Sequence, residues 1–193
     1  EINVVIASTL NGSVHFGSRK LKQDLIAEIT ALLSFSSIKN SDTFSSFIYT
    51  DKLESFTKPS KRINAVTLAT KEIIELDAMK KGLDLKKMGD SLFLSVKKRS
   101  LIFIIGDFFE IPDFKILAKK HEVIIIITRD KLEENPPLFG LATLEDPQTG
   151  LDLEGDFSKT AINKYKTKVK LHDQALYQKL RLDGIRFKKI YTH

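Results

Sequence analysis

The sequence predicts a three-layer, doubly wound α/β domain with a mostly parallel central sheet and one antiparallel edge strand. Three observations carry that expectation. Leu101–Ile105 and Val123–Ile127 are short, continuous apolar runs rich in β-branched residues, and strands apolar on both faces belong to a parallel sheet covered by helices. Stretches with helical apolar spacing alternate with the strand-like runs, the order expected of crossover units. The first run, Val4 to Thr9, passes straight into Leu10-Asn11-Gly12-Ser13. A polar turn at the carboxyl end of a strand is where an open α/β sheet keeps its site.

Taken in order, residues 2–9 form the first strand. Ser18 is placed to cap a helix carrying Leu21, Leu25, Ile29, Leu32 and Leu33 on one face. Residues 44–49 read as a second, largely buried strand ending at Thr50-Asp51. Leu53 to Thr57 returns from it through a tight hairpin as an edge strand stopped by Pro59. Ser60 is placed to cap a helix with Ile63, Val66, Ala69, Ile73 and Leu76 inward, ended by Gly82. Asp84 caps another, burying Leu85, Met88, Leu92 and Val96. Phe114, Leu117 and Ala118 supply the crossover helix between the two strongest strands. Pro136-Pro137 marks a loop, and Gly140 to Leu144 a strand or arm closed by the turn Asp146-Pro147-Gln148-Thr149-Gly150. A long helix from Ser158 to Leu182 presents Ile162, Tyr165, Val169, His172, Leu176 and Leu180 in one stripe. Gly184 ends it, and Ile185 to Tyr191 is the final strand.

With 193 residues, 42% of them hydrophobic, the chain buries one substantial core, so a single domain over 1–193 is expected. No apolar run is long enough to cross a bilayer, and Glu1-Ile2-Asn3 lacks a signal-peptide layout. A soluble, cytoplasmic domain is expected. Since the sequence begins with Glu1 rather than Met, it is expected to be a piece of a longer protein. The absence of cysteine excludes a disulfide framework, a thiolate metal site and a cysteine nucleophile. A net charge of +6 raises the question of nucleic acid or an acidic partner. The lysine excess after Lys159 reads as a solvated helix face, and arginine-aromatic interleaving for single strands is absent.

Familiar site motifs are missing. The first turn has neither the Gly-x-Gly-x-x-Gly of a dinucleotide site nor the Gly-x-x-x-x-Gly-Lys-Ser/Thr of a nucleoside triphosphate site. Ser13 lacks the glycines two residues before and after it that a Gly-x-Ser-x-Gly nucleophile elbow requires. The four histidines show no metal-ligand pairing; His15 is isolated, and His172 on its apolar stripe reads as a satisfied core residue. Hydroxyls and carboxylates on several strand-end loops do suit a hard cation such as Mg²⁺.

The order of elements, the turn Thr9-Leu10-Asn11-Gly12-Ser13-Val14-His15-Phe16-Gly17 and the later Ile105-Gly106-Asp107-Phe108 resemble the von Willebrand factor type A fold. Within it they resemble the bacterial branch called domain-of-unknown-function family 58, with further matches at Asp130-x-x-Glu133, Pro136, Gly140 and Asp146-Pro147-Gln148-Thr149-Gly150. The resemblance implies a metal-ion-dependent adhesion site over Thr9, Asn11, Ser13, Leu83 and Asp107. Three of these depart from the family pattern: Thr9 stands for an Asp, Asn11 for a Ser and Leu83 for a Thr. Ser13 and Asp107 match, and Asp84 lies one residue from the Leu83 position. Two readings stay open: a degenerate site without strong metal binding, or a weak Mg²⁺ site completed by a partner's carboxylate. No other cofactor is expected.

The leading expectation is a non-enzymatic protein-interaction domain whose rim includes Gly12, Leu83, Asp84 and Phe108. The resemblance further implies a MoxR-type AAA+ ATPase as partner, acting in assembly or maturation of other proteins. The alternatives are a metal-dependent hydrolase or phosphotransferase using Asp107, and nucleic-acid binding through the Lys159–Lys170 helix and Lys97-Lys98-Arg99.

Overall fold

The computed structural model describes residues 1–138, 140–145 and 152–192. Six strands form the central sheet: β1 (Asn3–Thr9), β2 (Thr43–Tyr49), β3 (Leu53–Ser60), β4 (Leu101–Gly106), β5 (Glu122–Arg129) and, last in the chain, β8 (Arg186–Tyr191). Their order is β3-β2-β1-β4-β5-β8, every pairing parallel except β2 with β3. This is the predicted α/β architecture. The order reverses around β1 and β4, so the loops leaving those two strands meet at one crevice.

The helices are α1 (Lys22–Lys39), α2 (Ile63–Glu75), α3 (Leu85–Ser95), α4 (Lys115–Lys120), the single turn α5 (Lys131–Glu134) and α6 (Lys159–Leu182). One buried cluster holds Val5, Ala7, Phe47, Ile102, Ile104 and Ile125 with α3, α4 and α6 residues; the other holds Val4, Ile6, Phe44 and Ile48 with α1 and α2. Successive β1 residues thus point into opposite layers, which is why that strand is apolar on both faces. Two further strands, β6 (Gly140–Glu145) and β7 (Asp152–Phe157), pair antiparallel as a separate ribbon. The expected arm is one half of it. The turn expected at 146–150 lies outside the described residues.

Several local expectations are corrected. Ser18 does not cap α1: the N-cap is Leu21, without a side-chain bond, and Ser18 instead donates from N and Oγ to Asp130 Oδ2 at 2.8 and 2.9 Å. Leu25 and Ile29 of α1 are buried as expected, but the buried face extends through Lys22, Ile26, Thr30, Ser34 and Ser37, leaving Leu32 at 70% exposure. Small hydroxyls suit that face, since Ser34 and Ser37 bond back to carbonyls in the previous turn.

Strand β3 continues through Pro59 to Ser60 because an edge strand has one side free of ladder bonds. Ser60 therefore belongs to the strand, and Arg62 is the N-cap of α2, whose Ile63 is exposed. That helix ends at Glu75, well before Gly82. Gln23 of α1 donates to the carbonyls of Ile73 and Leu76 at 2.7 and 2.8 Å, satisfying the helix end from outside. Asp84 caps α3 as expected, accepting from Lys87 N at 2.9 Å, and Gly184, at φ +69°, closes α6. Tyr165, placed on the inner stripe of α6, is 40% exposed, whereas Asp173 is buried.

Candidate functional site

The strand-end crevice is built by three loops. After β1, Asn11 to Ser13 enter a 3₁₀ turn at Gly12–His15, where Gly12 N donates to Lys81 O at 3.0 Å. The loop then folds tightly back: a Cβ on Gly17 would lie 1.8 Å from Lys20 O, so only glycine admits this closure. Lys22 N donates to Phe16 O at 3.0 Å. The first residue of α1 is thereby drawn over the end of the sheet.

Its side chain is wholly buried there. Lys22 Nζ lies 3.1 Å from Asp107 Oδ2 and 2.5 Å from Glu133 Oε1. Asp107, in the loop after β4, accepts on the same Oδ2 from Ser13 Oγ, which also lies 2.9 Å from Asn11 Oδ1. Burial alone would raise the Asp107 carboxyl, but the Lys22 ammonium, the Ser13 hydroxyl and the Arg129 guanidinium hold it below the usual carboxylate range. Burial raises Glu133, with Lys22 opposing. Arg129, at the end of β5 and fully buried, donates from Nη1 to the Asp107 carbonyl and from Nη2 to Asp173 Oδ1 at 3.2 Å.

The turn after Asp107 sorts two aromatic rings. Phe108 adopts φ +50°, a left-handed conformation that costs a non-glycine residue on the order of 1 kcal/mol. Its ring is 2% exposed, packed in the core, and its carbonyl meets His172 Nε2 at 2.9 Å. Phe109 is turned outward at 39% exposure, with the Arg129 guanidinium 3.8 Å and the Lys22 ammonium 5.1 Å from its ring centre. Phe109, rather than Phe108, is the aromatic that the rim presents.

The polar layer continues through β8. Lys189 Nζ bridges Asp173 Oδ2 and Glu134 Oε1, each at 2.6 Å, and Tyr191 donates to Glu134 Oε2 at 2.9 Å. Asp130 anchors the loop after β5, accepting from Ser18, Leu132 and Thr192. Burial opposes its ionisation, yet the Ser18 N–H, the Thr192 hydroxyl and the Leu132 N–H together lower its pKa to about 2.

The structure brings Asn11, Ser13 and Asp107 together. Thr9 is directed elsewhere: its Oγ1 bonds to Ile105 O at 3.2 Å inside the sheet, against Gly106, where a Cβ would approach that Oγ1 to 2.0 Å. Leu83 is half-buried against the α3 side of the core, and Asp84 is spent on its helix cap and on Lys87. The central charges Lys22, Glu133, Arg129 and Asp173 were not legible as site residues. One signal was available: Asp130-x-x-Glu133 is a capping box, and the box is present. Among the described residues, no group of three His, Asp or Glu side chains is arranged to hold a metal ion.

Beside the crevice, between α3 and α4, lies an open groove of about 1010 Å³. Leu83, Phe93, Ile111 and Ile116 give it an apolar floor and wall, with Asp90 and Glu110 on its edges. Ile111 and Ile116 are 43% and 67% exposed.

A six-stranded, mostly parallel sheet covered by helices, with polar loops gathered at its carboxyl end, defines an α/β domain of the doubly wound class. The chain belongs to the family of unknown function DUF58, whose model matches residues 1–175. Among solved structures it is similar to the conserved hypothetical protein BatB from Bacteroides thetaiotaomicron, at 11% identity and a TM-score of 0.54, covering 100% of this chain and 92% of that one. It is also similar to an aerotolerance-related membrane protein from Bacteroides fragilis, at 12% identity and a TM-score of 0.49, covering 94% and 99% of the two chains. At 11% identity the likeness to BatB speaks to fold alone. No curated protein matches the sequence. Among the described residues, no helix is long and apolar enough to cross a membrane.

Proposed function

We propose that this is a non-enzymatic protein-interaction domain of the von Willebrand factor type A kind, with a degenerate metal-ion-dependent adhesion site at Asn11, Ser13 and Asp107. The observation that carries the reading is the contrast between crevice and groove. The strand-end polar groups are engaged with one another: Asp107 by Ser13 and Lys22, Glu133 by Lys22, Asp173 by Arg129 and Lys189. A carboxylate already bound to a buried ammonium is poorly placed to act as a base or nucleophile, which weighs against a hydrolase using Asp107. Directly beside it, exposed Ile111 and Ile116 line a groove with room for a side-chain row of another protein.

The partner we propose is an AAA+ ATPase of the MoxR type, with a role in assembly or maturation of other proteins; a cytoplasmic location belongs to the same proposal. The experiment is capture from a lysate of the source cells with the wild-type domain and with Ile116→Asp and Ile111→Asp. An ATPase held by the wild type and lost from both variants, with melting temperatures unchanged, is the expected result. Equal capture by wild type and variants would move the surface elsewhere, and Mg²⁺-dependent phosphatase activity lost in Asp107→Asn would overturn the non-enzymatic reading.

A further inference from the structure

The residues of the crevice do not fit a divalent cation as they stand. The Asp107 oxygen that such an ion would need is shared between the Ser13 hydroxyl and the Lys22 ammonium, and Thr9 faces into the sheet. We infer that the Lys22 ammonium is the resident cation of this site, standing between Asp107 and Glu133 where a metal ion would otherwise sit and making the crevice self-sufficient in positive charge.

Three observations support it. Lys22 has no solvent exposure, so its ammonium is not a surface group that swings aside; its backbone is held in place by the Gly17 closure and the Lys22 N to Phe16 O bond. Its contacts are carboxylate oxygens from two separate segments, the loop after β4 and the turn α5, at 3.1 and 2.5 Å, which is the bridging role a hard cation plays in oxygen sites. Positive charge is also supplied from within the chain: Lys22, Arg129 and Lys189 are linked to Asp107, Glu133, Asp173 and Glu134, with the guanidinium on the Asp107 backbone and on Asp173 and the Lys22 ammonium on the Asp107 side chain. A divalent ion entering here would meet the buried Lys22 ammonium at close range, and like charges repel strongly when they are out of bulk water. The inference concerns the ion alone and stands or falls separately from protein docking at the groove.

The test compares wild type, Lys22→Ala and Lys22→Ala with Asp107→Asn, by calorimetric titration and thermal melts in MgCl₂ or MnCl₂ against NaCl of equal ionic strength. The wild type is expected to show no binding heat and no melting shift specific to the divalent ion. Lys22→Ala leaves two carboxylates and a hydroxyl around a vacated space. It is expected to gain about 3–6 °C at ten times its dissociation constant for Mn²⁺, and the gain is expected to vanish in the double variant. Ethylammonium, but not tetramethylammonium, should stabilise Lys22→Ala in the same way. Should Lys22→Ala fail to fold in NaCl, its refolding yield in Mn²⁺ or ethylammonium replaces the melt, and a yield unchanged by both would overturn the inference. The wild-type arm needs no Lys22 variant: stoichiometric Mg²⁺ binding by the wild type, abolished by Asp107→Asn, would also overturn it.

Discussion

Lys22 and Asp107, 85 residues apart in sequence, form a wholly buried ion pair at the end of the sheet, with Nζ 3.1 Å from Oδ2. The pair joins the first helix to the loop after β4, so it fixes the crevice as well as filling it. Removing one member of a buried pair leaves the other charge uncompensated, at a cost of about 3–5 kcal/mol. Asp107→Ala is therefore expected to destabilise the domain by that order in urea unfolding. The double variant Lys22→Met with Asp107→Ala should cost clearly less than the sum of the two single changes. Additive losses would show that the two groups do not depend on each other.

Asp130 makes acid stability a readout of the neighbouring loop. Its folded pKa, about 2, lies below the ordinary carboxylate value of 3.8. A depressed folded value contributes stability that is fully present above the unfolded pKa and is lost as pH falls toward the folded one. Its contribution of roughly 2 kcal/mol at neutral pH should thus disappear between about pH 4 and pH 2. Asp130→Asn is expected to lose it at pH 7 and to show a flatter stability profile across that acid window; an unchanged acid limb would contradict the assignment.

Arg129 combines a backbone bond to Asp107, an ion pair with Asp173 and a stacked contact with Phe109. A lysine offers a point charge without the planar fork, so Arg129→Lys is not conservative at this position. A loss of about 2–4 kcal/mol is expected, because the swap leaves buried polar groups only partly bonded. Full stability in Arg129→Lys would show that charge alone is required.

Gly106 and Thr9 report on the packing of β1 against β4. With a Cβ at position 106 reaching to 2.0 Å from Thr9 Oγ1, Gly106→Ala should destabilise by about 1–3 kcal/mol. Thr9→Ala removes the clashing oxygen and should recover part of that loss when combined with it. Recovery would confirm that Thr9 points into the sheet rather than toward the crevice.

Much of the architecture was legible because it depends on local patterning. The β-branched runs at β4 and β5, the Asp84 cap, Gly184 and the Ser158 start of α6 all act within a few residues of themselves. Helix ends controlled from a distance were not legible: α2 stops where Gln23 of another helix takes its last carbonyls, and Ser18 leaves its own helix to bond Asp130. Strand β3 ran on through Pro59 because only its edge position removes the penalty, and edge position is a property of the sheet. Of the site, Ser13 and Asp107 were found from their strand-end places, whereas Lys22 sits in a lysine- and arginine-rich tract that looks like solvated surface.

The sequence by itself determined the alternation of strands and helices, the parallel sheet and the location of a polar crevice at its carboxyl end, since periodicity and composition act locally and are carried on every strand and helix. Only the tertiary structure decided what fills that crevice. Burial of Lys22 between Asp107 and Glu133 depends on three loops meeting over the sheet, and no spacing within one stretch of chain encodes that meeting.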